Sequence, residues 1–158
     1  MATHAGAKFY VCTTPQPEDL TASEFETLTY VEVKGVGSVG ERGTATNIVS
    51  YDELATEVTQ KGKGISNAGD PPIECRRIPS DPGQVAMRAA ALTRYQYAFK
   101  LEYADAPDED TTNTVCFNRG LVTGPTTPAG RNEDFILEVY TLALNQREVI
   151  VNPEAIVP

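Results

Sequence analysis

Seven of the chain's twelve glycines lie between Gly35 and Gly69. The stretch reads GVGSVGERGTATNIVSYDELATEVTQKGKGISNAG and interrupts a chain that otherwise reads as strands around one helix. Long, weakly structured inserts in compact domains are uncommon and are usually binding arms or disordered. This one also carries alternating apolar residues: Ile48, Val49, Tyr51, Leu54 and Val58. Glycine hinges around strand-forming residues predict a chain that completes its fold against a neighbour. Assembly is expected ahead of catalysis.

The remainder predicts a mainly-β fold. AKFYVCT (7–13) reads as a first strand, ended by Pro15 and Pro17. EDLTASE reads as a turn or short polar link. FETLTYVEVK (25–34) reads as a second strand, with Phe25, Thr27, Thr29, Val31 and Val33 on one face and Glu26, Tyr30, Glu32 and Lys34 on the other. Within the glycine-rich section, YDELATEVTQK reads as a strand through its β-branched residues, or as a short helix through Leu54 and Val58. PIECRRI (72–78), QYAFKLEYA (96–104), TVCFNRGLVT (114–123), FILEVYTLAL (135–144) and REVIVNP supply further strands. The strand at 135–144 is apolar on both phases, which predicts cover on both sides. Gly120 marks a bulge or a close approach.

The sharpest local signal is Asp81-Pro82-Gly83-Gln84. Aspartate suits an N-cap and proline the first helical position. A helix is predicted from 82 to 94, with Val85, Ala89 and Leu92 as its apolar stripe. Being short, it must lie against a sheet. The expected architecture is one domain over 1–158, a β-sandwich with one flanking helix and a long arm at 35–71.

Several functions are poorly supplied. The formal charge of −9 opposes a tight nucleic-acid binder, which needs a basic face. Cys12, Cys75 and Cys116 are odd in number and widely spaced, so buried free thiols are expected. His4 is the one histidine, which leaves a histidine-based triad without a well-placed base. Gly35-Val36-Gly37-Ser38-Val39-Gly40 matches a dinucleotide fingerprint, but ERGTATN follows where a helix is required. Asp105, Asp108, Glu109 and Asp110 lack the ligand spacing and central glycine of a calcium loop and read as a solvated turn. Neither cofactor nor metal is expected. No apolar run is long enough to cross a bilayer, and MATHAGAKFYV lacks a leader pattern, so a cytoplasmic origin is expected.

The order of these pieces resembles the major tail tube proteins of bacteriophages with long non-contractile tails. The resemblance runs over roughly residues 7 to 152 and rests on the leading strand, the long arm, DPGQVAMRAAALT, QYAFKLEY, NTVCFNRGLVTGP and DFILEVYTLALNQ. It implies a subunit that forms hexameric rings, stacked head to tail into a tube in the virion tail. It implies tape-measure and terminator proteins as further partners. Double-stranded DNA would pass through the bore unbound, and the subunit would be made in the host bacterial cytoplasm.

The residues are consistent with that implication. Stacked rings need heterologous contacts, and Ile48, Val49, Tyr51, Leu54, Lys61 and Lys63 are the expected inter-ring contacts of the arm. An acidic wall repels a passing duplex over roughly one Debye length, ~8–10 Å. Glu26, Glu32, Glu57 and Glu74, on the water-facing phases of the expected strands, are the candidate lumen acids. Three other readings remain: a monomeric β-sandwich binding module, a carboxylate-dependent hydrolase, and the tube of a contractile tail.

Overall fold

The computed structural model describes residues 1–156. Its elements are β1 (Lys8–Cys12), α1 (Ala22–Glu26), β2 (Tyr30–Val33), β3 (Val36–Val39), β4 (Ala45–Tyr51), β5 (Gln60–Asn67), β6 (Pro72–Arg76), α2 (Pro82–Ala91), β7 (Tyr97–Glu102), β8 (Val115–Thr126), β9 (Leu137–Leu144) and β10 (Val149–Val151). The mainly-β expectation holds. Eight strands form one antiparallel sheet in the order β2-β1-β7-β8-β9-β6-β3, with β10 on the first part of β8. Among the described residues, β4 and β5 pair with each other alone.

The end strands of that order, β2 and β3, are consecutive in sequence and joined by Lys34 and Gly35. The sheet therefore curls back on itself, and its two halves enclose one core. Gly35 sits at φ +79°, a conformation that side chains disfavour. Phe9, Val11, Val33, Phe99 and Leu101 from one half meet Ile73, Cys75, Tyr140 and Leu142 from the other, with Met87 and Ala90 of α2 among them. Each large side chain buried this way contributes about 1.5–3 kcal/mol. A second, smaller cluster lies on the opposite face of β1, β7 and β8. There Phe25 of α1 stacks on Phe117 at 5.1 Å between ring centres, beside Cys12 and Ala98.

Five local expectations need correction. The strand at 25–34 begins only at Tyr30, because residues 22–26 are helical. Thr21 caps that helix, accepting from the Glu24 amide at 3.4 Å while its hydroxyl donates to the Glu24 carboxylate at 3.1 Å. Burial of Phe25 in the second cluster then holds the short turn in place.

Helix α2 starts as expected, with Asp81 accepting from the Gln84 amide at 3.0 Å. It ends at Ala91, however, and presents the opposite face to the core. Gly83, Gln84, Met87 and Ala90 are buried, while Val85, Ala89 and Leu92 are exposed. The reason is Gln84, which fills the place where the curled sheet fails to close. Its amide nitrogen donates to the carbonyls of Lys34 and Arg76, and its oxygen accepts from the Ile78 amide. A polar residue so satisfied can be buried at little cost, and periodicity alone would not select it.

Strand β9 is covered on one face. Glu138, Tyr140, Leu142 and Leu144 are buried, whereas Leu137, Val139 and Ala143 are half-buried and Thr141 is exposed. YDELATEVTQK is neither one strand nor a helix; it is the end of β4, an irregular tip and the start of β5. The glycine-rich section as a whole is built of strands. Gly120 is a close approach: a Cβ there would clash with the Ala143 carbonyl and lie 2.7 Å from the Leu144 Cα.

Candidate assembly interface

The β4–β5 hairpin carries the expected arm residues. Cross-strand partners share a face, so Ile48 opposite Lys63 and Ser50 opposite Lys61 form one side, and Val49 opposite Gly62 and Tyr51 opposite Gln60 form the other. Gly64 also lies against Val49, where a Cβ would approach its methyl at 3.1 Å. The glycines thus leave a flat surface carrying Val49 and Tyr51. Leu54 stands in the tip. Exposure is 72% at Ile48, 71% at Tyr51, 109% at Leu54, 72% at Val58 and 82% at Ile65. A folded chain rarely gathers so many large apolar side chains in water on one element unless they meet a partner. Lys61 and Lys63 are exposed as well, and among the described residues neither forms a salt bridge.

The root of the hairpin is fastened to the body. Arg42 donates to Glu148 at 2.8 Å and to the Tyr103 hydroxyl. Asn118 of β8 donates to the same Glu148 at 3.1 Å. The Gly40 amide donates to the Pro72 carbonyl at 2.7 Å. The arm is therefore a projecting element with a fixed base.

The four candidate acids do not share one strand surface. Glu26 ends α1, and Glu57 belongs to the hairpin tip, so neither has the strand setting expected of it. Glu32 does lie on the outer side of β2, in a row with Tyr10 and Lys100. Lys100 caps the Tyr10 ring at 4.9 Å, and the Tyr10 hydroxyl is pushed up by burial and by the nearby Glu102 and Glu32 carboxylates. Glu74 lies on β6 between Ser38 and Val139, on the face turned from the core.

Two polar clusters escaped the sequence reading. Glu138, buried on β9, accepts from Arg77 at 2.9 Å, from Arg88 at 3.1 Å and from the Tyr140 hydroxyl at 2.6 Å. Burial alone would raise its carboxyl; the bonds from Arg88, Tyr140 and Arg77 more than offset that and hold it below its ordinary value. A signal existed: an acid on the inward phase of an apolar strand needs cationic partners. Arg119, buried on β8, pairs with Asp19 and donates to the Gln16 carbonyl. Both clusters join elements distant in sequence.

The body offers little enclosed chemistry. A cleft of about 290 Å³ opens between Phe9 and Leu101 on one side and Val36 to Val39 on the other, with His4 at its rim. Cys12, Cys75 and Cys116 are buried and free as expected, and burial pushes the Cys75 thiol up to about 11. Among the described residues, no three His, Cys, Asp or Glu side chains gather as a metal site. No helix among them is long and apolar enough to cross a membrane.

No protein-family model matches the chain, and no curated protein matches it. Solved structures do. A chain of the SPP1 tail tube is similar at TM-score 0.62 and 16% identity, covering 94% of this chain and 77% of that one. A chain from the sheath/tube terminator of an extracellular contractile injection system, PVC, is similar at TM-score 0.63 and 12% identity, over 92% of each. A chain of the anti-feeding prophage baseplate is similar at TM-score 0.60 and 8% identity, over 92% of this chain and 91% of that one. At these identities the likeness is one of fold, shared with structural parts of tails and injection systems.

Proposed function

We propose that this chain is the structural subunit of a tail tube. Copies close into six-membered rings, the rings stack head to tail, and double-stranded DNA travels the bore without being gripped. The subunit works in the virion tail, beside tape-measure and terminator proteins, and carries out no catalysis. The carrying observation is the projecting hairpin, with Ile48, Tyr51, Leu54, Val58 and Ile65 largely in water. It stands on a body similar in fold, over 94% of this chain, to a tail-tube chain. The β4–β5 hairpin serves as the arm between subunits and rings, since the first residues of the expected arm at 35–71 form β3 of the main sheet; Ile48, Val49, Tyr51 and Leu54 are its apolar contacts and Lys61 and Lys63 its charged ones. Permanent interfaces usually bury about 2,000 Å² or more, and the arm adds area that the compact body lacks.

The net charge of −9 supports the DNA part of this reading. An acidic wall does not displace counterions from the duplex, so phosphates are not held. Glu32 and Glu74, which lie on outward strand faces, are the acids assigned to the bore. Changing both to lysine should slow DNA release and leave tube assembly intact; unaltered release would remove that assignment.

Negative-stain microscopy of the concentrated protein tests the whole reading. Hollow filaments with six-fold rings are expected, and single compact particles at every concentration would overturn it. A second reading has its own support in the likeness to terminator and baseplate chains. A terminating ring stops at one hexamer, so discrete rings that never elongate would select it.

A further inference from the structure

The hairpin tip joins exposed apolar residues to acids. Tyr51, Leu54 and Val58 stand in water beside Asp52, Glu53 and Glu57. The body has a counterpart. Helix α2 turns Val85 and Leu92 outward, at 48% and 89% exposure, and Phe135 and Ile136 precede β9 at 75% and 62%. These residues border one surface, because the side chains between them converge. Arg88 of α2 reaches Glu138 of β9, Arg77 reaches the same carboxylate, and the Arg77 amide donates to the Ile136 carbonyl at 2.9 Å. One side of the rim is basic. Arg77 is half exposed, and Arg94 follows the helix into solvent.

We propose that the outer face of α2, with Phe135 and Ile136, is the seat for the hairpin tip of a second copy. The proposal rests on the assembly reading above and names the surface that receives the arm. Leu54 and Val58 cover Leu92, Val85 and Ile136, while the tip acids meet Arg77 and Arg94. Both partners are large apolar groups, and the tip acids face the arginine side of the seat's rim, which favours this pairing over a tip-to-tip contact. The contact joins two different surfaces, so each copy offers one free tip and one free seat and the chain of contacts continues. The unforeseen orientation of α2 acquires a reason: the apolar residues it keeps from its own core serve its neighbour.

Paired cysteines test the contact. The double variant Leu54→Cys with Leu92→Cys, mildly oxidised in assembled material, should give a ladder of covalent multimers on a reducing-agent-free denaturing gel, whereas either single variant should give no ladder. The three native cysteines are buried and do not compete. Filaments without a ladder would overturn the seat while leaving the tube reading intact, and would give the α2 face to another occupant. A chain that never assembles would overturn both. Should cysteine at either position impair assembly, Leu92→Asp decides: an unchanged melting temperature with filament yield reduced at least about tenfold supports the seat, and wild-type yield overturns it.

Discussion

Arg42 donates its Nε proton to Glu148 at 2.8 Å, and this pair fastens the root of the hairpin to the segment leading into β10. Both side chains are 13% exposed. Glu148 also receives a bond from Asn118 of the central strand β8. The direction in which the arm leaves the body is thus tied to the middle of the sheet.

Arg42→Ala should cost about 2 kcal/mol, since it leaves a largely buried carboxylate with one neutral donor. Urea unfolding measures that loss. Amide exchange should quicken around residues 40–44 while β7 and β8 keep their protection. Uniform quickening along the chain would contradict the idea of a localised fastening.

Gly83→Ala should destabilise by about 3 kcal/mol or prevent folding, because overpacking is hard to relieve against backbone. A Cβ at 83 would clash with the Glu32 carbonyl and lie 2.5 Å from the Val33 Cα. Gly62→Ala is the control: its nearest contact is the Val49 methyl at 3.7 Å, and stability should change by no more than about 0.5 kcal/mol. Denaturation midpoints of the two variants make the comparison.

Ile48→Ser and Tyr51→Ser should each leave the unfolding free energy within about 0.5 kcal/mol, as substitutions of exposed side chains usually do. The sedimentation profile of the concentrated protein should nevertheless shift toward single subunits. Wild-type assembly in both variants would count against the hairpin as a contact element.

Acid should weaken the fold partly through Glu138. Its carboxyl lies below the ordinary 4.5 in the folded chain. A depressed acid stabilises fully above its unfolded value, and the contribution is lost as pH falls through the folded value. Urea midpoints should therefore hold near neutrality and decline below about pH 4.5. Glu138→Gln should be less stable at neutral pH and show a shallower acid decline. An identical decline would mean that other carboxylates carry the effect.

Much of the outline was legible because it depends on local chemistry. Asp81 and Pro82 announce the start of α2, alternation in 96–104 gives β7, and glycine spacing with apolar pieces marks the arm. Other features needed the packed molecule. The Thr21–Glu24 cap was present in the sequence, yet alternation from Phe25 onward reads equally as strand, and Phe117 settles the matter by receiving Phe25. Glu32 and Glu74 have outward phases that a sequence conveys; the positions of Glu26 and Glu57 depend on the helix and tip that interrupt those phases.

The sequence by itself determined the mainly-β content, the one well-capped helix, the acidic balance and a glycine-rich stretch with apolar residues outside the core. These follow from near neighbours, whose dihedral preferences and alternation act within a few residues. Tertiary structure alone decided which side of α2 is buried, because the Lys34 and Arg76 carbonyls and the Ile78 amide, brought together by the curl of the sheet, all bond to Gln84. It likewise decided that Arg42, Asn118 and Glu148, far apart along the chain, meet at the root of the arm. Contacts of that kind depend on how the sheet curls, and local preference carries no record of the curl.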